Sequence, residues 1–174
     1  MSMERDLPKR KSLRLKAYDY SSPGSYFITF CTYNRRNMLS LPVGAIHESP
    51  ELKLTPFGQM LEQTINTIPS HLHAKIDQYV IMPNHVHLMI TIAEADALRA
   101  IRESPLQNGS IISKTVGYIK MNASKQIRIH RTDTPVWQRG YYDHVIRNQA
   151  DYDMISKYIS ENPMRWRLDK FYTE

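Results

Sequence analysis

The sequence has few of the residues from which disulfide scaffolds, thiolate metal sites and membrane spans are built. Cys31 is the only cysteine among 174 residues, which excludes an intrachain disulfide framework and a cysteine-based zinc site. No apolar run approaches the roughly 18 residues of a membrane span. The basic N-terminal stretch also has no apolar core of a secretory signal. We therefore expect a protein of the reducing cytoplasm that has no membrane partner.

Negative charge is the scarcer sign, with 17 Asp and Glu against 23 Lys and Arg, a net charge of +6. The excess is concentrated in residues 1–22, which we interpret as a basic N-terminal arm. Such an arm can bind phosphates, although a solvated tail that aids solubility would have the same composition. Residues 23–174 have the length of a single domain.

The first half of the chain predicts two kinds of element. Residues 25–33 alternate and are rich in β-branched and aromatic types, which predicts a strand. A loop follows, with a short strand near 45–54. Residues 55–68 begin with a threonine cap and a proline and repeat apolar side chains at helical spacing, which predicts an amphipathic helix. Residues 74–82 and 86–92 are apolar runs separated by Pro83-Asn84, which predicts a hairpin.

The second half predicts a long loop and then three further elements. Residues 93–109 contain Pro105 and Asn108-Gly109 and are interpreted as a loop. Residues 110–130 predict a helix with a basic face, 135–146 an extended segment, and 148–162 a helix that Asn148 caps. The resulting order, β-α-β-β-α-β-α, predicts an α+β fold. Its core is ferredoxin-like with an antiparallel sheet, and it has an extra C-terminal helix.

Two histidines interrupt the apolar run "YVIMPNHVHLMITI". Residues i and i+2 of a strand share a face about 7 Å apart, so His85 and His87 project together while Val86 and Leu88 point into the core. Two imidazoles on one rigid face can bind one divalent ion. Two separately hydrogen-bonded histidines at a sheet edge are the alternative. The same spacing in His71-Leu72-His73 lies in an apparent connection, where we do not expect a metal site.

Tyr158 lies on the predicted C-terminal helix, four residues before Asn162 and therefore on the same helical face. A phenol and an amide placed in this way can face the same site. The phenol can act there as a nucleophile and the amide oxygen as a neutral metal ligand. Because Asn162 precedes Pro163, its direction is less well defined. The alternative for Tyr158 is an amphipathic side chain that covers the edge of the core.

Four segments, "YFITFCTYNR", "YVIMPNHVHLMI", "PVWQRGYYDHVIRN" and "YISENP", resemble in order and spacing the REP-associated tyrosine transposases. That group belongs with the single-tyrosine transposases of bacterial insertion sequences, inside the HUH endonuclease superfamily. The resemblance covers residues from about 25 to about 168. The long basic N-terminus and the insertions near 40–55 and 93–109 depart from the shortest members.

The resemblance implies a ferredoxin-like catalytic domain that cuts single-stranded DNA near hairpins, in the cytoplasm of a bacterium. It implies that His85, His87 and Asn162 bind Mg²⁺ or Mn²⁺. Tyr158 is then the nucleophile that forms a covalent 5′-phosphotyrosine. His144 also matches a recurring family position, and we interpret it as structural. The implied partner is single-stranded or hairpin DNA, bound by a monomer or a homodimer.

Basic and aromatic residues suggest where the DNA strand binds. The candidates in the arm, on the basic helix and in the extended segment are Arg10, Lys11, Arg14, Lys114, Lys120, Lys125, Trp137 and Tyr141. A solvated helix face with aromatics in the core is the alternative. Two rival functions are a non-catalytic nucleic-acid-binding module and a metal-dependent hydrolase of a small substrate. The first predicts that the His pair and Tyr158 do not converge, and the second predicts a closed pocket.

Overall fold

A computed structural model describes residues 18–43, 51–103, 109–128 and 135–173. The strands are β1 (Gly24–Cys31), β2 (Ser40–Val43), β3 (Glu51–Leu54), β4 (Lys75–Ile81), β5 (His85–Ile92) and β6 (Tyr142–Ile146). The α-helices are α1 (Pro56–Asn66), α2 (Glu94–Glu103), α3 (Ile111–Arg128) and α4 (Gln149–Glu161), and α4 is followed by a 3₁₀ helix (Pro163–Leu168). No helix of the described residues is long and apolar enough to cross a membrane.

The main sheet has the strand order β4-β5-β1-β6, and every neighbouring pair is antiparallel. Counted along the chain, this is the order second, third, first, fourth, which is the ferredoxin-like arrangement. The helices α1 and α3 form the two crossovers, and α4 is the additional C-terminal helix. The predicted α+β fold with an antiparallel sheet is therefore confirmed.

The two faces of the sheet have different partners because side chains alternate along each strand. One face carries Ile28, Val86 and Leu88, which pack in the larger core with residues of α1 and α3 such as Leu61 and Ile119. The opposite face is covered by α4, whose Ile155 and Ile159 pack against Met89 and Ile146. His85 and His87 alternate with Val86 and Leu88, so both histidines lie on the α4 face.

The helix starts agree with their capping signals. The Thr55 side chain accepts a hydrogen bond from the Gly58 backbone N–H at 3.1 Å, and Pro56 is the first helical residue of α1. The Asn148 side chain accepts from the Asp151 N–H at 2.9 Å at the start of α4. These local signals fix the residues at which both helices begin, and both helices begin where they were predicted.

One prediction about the connections was wrong and another was confirmed. Residues 93–109 were expected to be a loop, but Glu94–Glu103 form α2. Acidic Glu94 and Asp96 occupy its first turn, where they favour a helix, and the breakers that suggested a loop lie beyond it. The short strand expected near 45–54 is β3, which pairs with β2 in a separate two-stranded sheet. Residues 44–50 lie outside the described residues.

The end of the predicted N-terminal arm packs on the domain. Tyr20 is buried, and the rings of Tyr18 and Tyr20 lie 5.1 Å apart beside Tyr26. The Tyr26 hydroxyl donates to the Ser22 carbonyl at 2.7 Å. The packed structure therefore includes residues from Tyr18 onward. The domain boundary at residue 22 stays a prediction, and Arg10, Lys11 and Arg14 lie outside the described residues.

Candidate active site

The two histidines of β5 meet at one point. Both side chains are 0% exposed, and their Nε2 atoms lie 3.0 Å apart. Burial lowers the pKa of His85 to about 3, with help from the charges of Lys170 and Arg35. Burial also lowers the pKa of His87 well below its ordinary value, with help from His85. Both rings are therefore neutral near pH 7, which is the form that binds a metal ion.

Hydrogen bonds at Nδ1 orient both rings. The Asn84 amide nitrogen donates to the backbone carbonyls of Phe171 at 2.8 Å and Arg35 at 3.3 Å. The Asn84 oxygen therefore faces His85 Nδ1, 2.9 Å away, and accepts its proton, which leaves a lone pair on His85 Nε2. The Thr29 hydroxyl lies 2.7 Å from His87 Nδ1. It can donate or accept, so His87 can also present a lone pair at Nε2.

Tyr158 reaches the same point from α4, the helix that covers this face of the sheet. Its hydroxyl lies 3.3 Å from His87 Nε2, and its ring contacts the rings of His87 and Phe27. The side chain is 39% exposed, so it faces both the histidines and the solvent. Burial and the nearby Asp169 charge raise the pKa of Tyr158, whereas the Asn162 amide lowers it. The phenol is therefore protonated near pH 7.

Asp169 completes this cluster, although the sequence pattern did not predict it. Its carboxylate is 3% exposed and lies 3.9 Å from His85 Nε2. The Tyr158 hydroxyl donates to it at 3.5 Å, and the Phe171 N–H donates at 2.6 Å. Ligand atoms of His85, His87 and Asp169 all lie within 4.8 Å of one another. Asp169 follows the 3₁₀ helix, where no periodic pattern marks it. Its one sequence signal is an isolated acid in the basic stretch 165–170.

Asn162, the sequence-predicted third ligand, lies beside the phenol. Its backbone is helical, with φ −57° and ψ −41°, so the expected common face with Tyr158 is present despite Pro163. The residue is 2% exposed. Within the described part of the chain, its buried Oδ1 has no hydrogen-bond partner. An orphaned buried acceptor is unfavourable unless a cation or a donor satisfies it.

The helix that carries Tyr158 is fastened to β4 by one glutamine. The Gln78 amide nitrogen donates to the Ser160 hydroxyl at 2.9 Å and to the Ser156 carbonyl at 3.2 Å. The Ser156 hydroxyl donates back to Gln78 Oε1 at 2.7 Å. These bonds fix α4 on either side of Tyr158, so they position its hydroxyl over the histidines.

We expect Gln78→Ala to loosen this attachment and displace Tyr158. The loss of about three hydrogen bonds should lower the free energy of unfolding by about 1–3 kcal/mol. A displacement near 1 Å should slow the DNA cleavage that the family resemblance implies by up to about 100-fold, with little change in DNA affinity. Urea denaturation and single-turnover cleavage measure the two effects. Thr67→Ala, a change at the exposed end of α1, is the control. Unchanged cleavage in a destabilised Gln78→Ala variant would contradict the positioning role.

The predicted DNA-binding residues in the second half of the chain do not lie beside Tyr158 and the two histidines. Trp137 is 9% exposed, packs on Phe30 and donates its indole N–H to the Lys120 carbonyl. Tyr141 packs against the core and lies 3.2 Å from the Ser113 hydroxyl. Lys114 and Lys125 belong to α3, on the opposite side of the sheet from the histidines. Trp137 and Tyr141 therefore contribute to packing, and DNA binding by these aromatic residues and by the two lysines stays a prediction.

Lys120 is engaged by backbone rather than open to a phosphate. Its ammonium donates to the carbonyls of Gln138 and Gly140 and lies 5.3 Å from the centre of the Phe30 ring. It therefore ties α3 to the segment before β6. A cation held by two backbone carbonyls in this way has a structural role, and DNA binding by Lys120 stays a prediction.

Lys120 should give the folding stability a recognisable pH dependence. Burial lowers its pKa from 10.5 to about 8. Between these pH values the unfolded chain binds more protons at this residue than the folded chain does, so the free energy of unfolding rises with pH. Below this window both states are charged, and the desolvation penalty is fully present. We expect urea unfolding of wild type, compared with Lys120→Met, to show this additional rise. Parallel pH profiles of the two proteins would contradict it.

The remaining histidine candidates have structural contacts. His144 Nε2 lies 2.9 Å from the Asp151 carboxylate and so links β6 to the first turn of α4, which supports its interpretation as structural. His73 faces Asp96 at 3.8 Å. Among the described residues, only His85, His87 and Asp169 form a His, Cys, Asp or Glu group that could hold a metal ion. The second His-x-His pair is therefore not part of such a group.

Comparisons with known proteins show the family to which the chain belongs. The family model described as "Transposase IS200 like" matches residues 22–162. The REP-associated tyrosine transposase of Escherichia coli K12 is 25% identical over 146 residues, which cover 84% of this chain and 70% of that protein. An uncharacterised protein of Haemophilus influenzae is 33% identical over 174 residues, covering 95% of this chain and 94% of its own.

A solved structure has the same fold. It is a REP-associated tyrosine transposase bound to a REP hairpin, with a TM-score of 0.60 and 23% identity, and the match covers 87% of this chain and 73% of that one. Fold and relatives together define a tyrosine transposase, an enzyme of the HUH type. The chain belongs to the IS200-like transposase family. The family resemblance predicted from the sequence is thus confirmed.

Proposed function

We propose that the protein is a metal-dependent endonuclease and strand transferase that cuts single-stranded DNA near hairpins. The observation that carries this proposal is the convergence of Tyr158 on His85 and His87. A nucleophile from α4 and a ligand pair from β5 lie within hydrogen-bond distance, although they are 71 residues apart in sequence. A nucleic-acid-binding module would not need this convergence. The hairpin bound by the related solved structure supports the substrate class.

The donor set fits a divalent metal ion. His85 and His87 direct Nε2 atoms to one point, and Asp169 adds a carboxylate oxygen. Asn162, whose side chain lies beside the Tyr158 phenol, has a buried Oδ1 without a partner among the described residues and would be a further neutral oxygen donor. A mixed nitrogen and oxygen set suits Mn²⁺ and accepts Mg²⁺. When bound, the metal would polarise the scissile phosphodiester and offset developing negative charge.

Tyr158 would carry the covalent step. Its oxygen attacks the phosphorus of a phosphodiester, a new tyrosine–phosphate bond forms, and the bond to the 3′ oxygen breaks. The products are a 5′-phosphotyrosine and a strand that ends in a 3′-OH. Because one phosphoester replaces another, a later attack by a 3′-OH can rejoin strands. The phenol proton must leave, and the departing 3′ oxygen must take one up. The partly exposed Tyr158 hydroxyl can exchange protons with solvent water. Asp169 Oδ2, 3.5 Å away, can accept the phenol proton only while that oxygen does not bind the metal.

The test is a cleavage reaction with labelled hairpin oligonucleotides that carry single-stranded flanks, with Mn²⁺ or Mg²⁺. We expect a protein–DNA adduct that survives a denaturing gel. The adduct should not form when EDTA is present during the reaction. The hairpins should come from the genome that encodes the protein, since this chain reveals no base code. Tight hairpin binding without an adduct, across many hairpins and both metals, would favour the binding module instead.

The ligand set gives a separate prediction. We expect Asp169→Asn to weaken Mn²⁺ binding by at least about 10-fold, because an anionic donor becomes neutral at unchanged size. Asn162→Ala should have a smaller effect on Mn²⁺ binding, since the amide is the weaker donor. Isothermal titration of each protein with Mn²⁺ measures both without DNA. The reverse order of effects would restore Asn162 as the principal third ligand.

A further inference from the structure

Two cations flank one aromatic ring at the His85 end of the site. The Arg35 guanidinium lies 5.3 Å from the centre of the Phe171 ring, and the Lys170 ammonium lies 4.9 Å from it. The Phe171 ring is buried, 4.6 Å from the His85 ring and 6.3 Å from the His87 ring. Arg35 and Lys170 are exposed, so the ring holds two accessible positive charges beside the histidines.

Within the described ranges, neither Arg35 nor Lys170 forms an ion pair with a carboxylate. By contrast, Lys157 and Arg165 near the same helix both pair with Glu161. Unpaired cations beside a phosphate-processing site are positioned to bind a phosphate group.

The backbone at Arg35 is held in a conformation that needs support. Asn34 and Arg35 both have left-handed φ angles, 54° and 52°, and two such residues in succession are strained unless they are glycine. The Arg35 carbonyl accepts from the Asn84 amide and from the Thr173 hydroxyl, each at 3.3 Å. Asn84 also orients His85. The structure therefore fixes Arg35 relative to the metal-ligand pair.

The position of these cations relative to Tyr158 indicates which part of the DNA they meet. Phosphoryl transfer proceeds in line, so the leaving oxygen lies opposite the attacking oxygen. The Tyr158 hydroxyl approaches at His87, whereas Phe171 and its two cations lie nearer His85. A leaving 3′ oxygen on the His85 side, with the strand attached to it, would lie close to Arg35 and Lys170.

We propose that Arg35 and Lys170 form a phosphate-binding subsite for the DNA strand that is released with a 3′-OH. This proposal rests on the proposed function. The strand attached to Tyr158 is held covalently, but the other strand is held only by non-covalent contacts. Two cations on its backbone keep the 3′-OH near the phosphotyrosine, so that rejoining or transfer can follow cleavage. Phosphate contacts of this kind position a strand without reading its sequence.

The test compares wild type with an Arg35→Gln/Lys170→Gln double variant and with Arg99→Gln. Arg99 is an exposed arginine on α2 and serves as the control. One experiment measures single-turnover adduct formation, dissociation of the labelled 3′-OH fragment from the adduct, and rejoining. A second measures binding of the same oligonucleotide without metal at several salt concentrations, so it needs no cleavage. Thermal unfolding checks that each variant is folded.

We expect the double variant to lose rejoining by a larger factor than adduct formation, because Tyr158 and the metal ligands that carry the cleavage step are intact. Release of the 3′-OH fragment should be at least about 10-fold faster, and rejoining should fall in proportion. The slope of log affinity against log salt should become less steep by about 1.4. Each phosphate contact to a single strand contributes roughly 0.7, and the double variant loses two such contacts. Arg99→Gln should match wild type in every measurement.

Fragment release, rejoining and salt slope all equal to wild type would overturn the subsite. An adduct that the double variant both forms and rejoins at wild-type rates would overturn it as well. If wild type binds DNA but never forms an adduct, the proposed function fails. Loss of affinity and salt slope in the double variant would then keep the phosphate contacts and overturn only their assignment to the released strand.

Discussion

Replacing Tyr158 with phenylalanine is expected to abolish the covalent protein–DNA adduct, with a loss of cleavage of roughly 10⁴-fold or more. The change removes only one oxygen, which contacts His87 Nε2 at 3.3 Å and Asp169 at 3.5 Å. The ring keeps its packing on Phe27, so folding and DNA binding should persist. A denaturing gel with labelled hairpin DNA measures the adduct, and a gel-shift assay measures binding.

Tyr152→Phe is the matched control for this prediction. Tyr152 lies on the same helix but packs with the smaller core cluster of α4 rather than at the histidines, so its variant should form the adduct at the wild-type rate. Peptide mapping of the wild-type adduct should place the nucleotide on Tyr158. An adduct that persists in Tyr158→Phe would preserve the chemistry and assign it to another of the eleven tyrosines.

Replacing His87 with glutamine is expected to remove both metal binding and metal-dependent cleavage. Glutamine has a similar volume and can keep a hydrogen bond to Thr29. It cannot replace the imidazole nitrogen that lies next to His85 Nε2 and would bind the same metal ion. Loss of a metal that supplies several kcal/mol of charge stabilisation should slow cleavage by roughly 10³-fold. The rise in thermal unfolding temperature during a titration with Mn²⁺ measures metal binding independently of activity.

His71→Gln offers a matched control, because His71 belongs to the other His-x-His sequence and is exposed. It should keep the full Mn²⁺-induced rise in unfolding temperature and normal cleavage. If His87→Gln retained that rise, or if His71→Gln lost it, the metal site would have to be moved away from β5.

The parts of the structure that the sequence predicted correctly depend on short-range rules. The caps at Thr55 and Asn148 mark helix starts because each side chain bonds to a backbone N–H only three residues away. The common face of His85 and His87 follows from the period of a strand. Tyr158 and Asn162 share a face because the helix continues to the residue before Pro163. Each of these features is contained in a few neighbouring residues.

The parts that were missed depend on which segments meet in space. Asp169 joins the histidines because the chain after α4 folds back over β5, and nothing within its own segment encodes that return. Trp137 is as compatible with a stacking surface as with a core position until its neighbours Phe30 and Lys120 are known. Arg35 and Lys170 are 135 residues apart in the sequence and become a pair only around the ring of Phe171.

The attachment of α4 to its own sheet has a consequence for genetics. Gln78 binds Ser156 and Ser160 of the same chain, and a site assembled in this way takes its nucleophile and its histidines from one copy. Two differently disabled copies, one with Tyr158→Phe and the other with His87→Gln, could restore an intact site only if a helix left one copy and docked on the other. Mixed in one cell, such alleles are therefore expected to fail to complement each other.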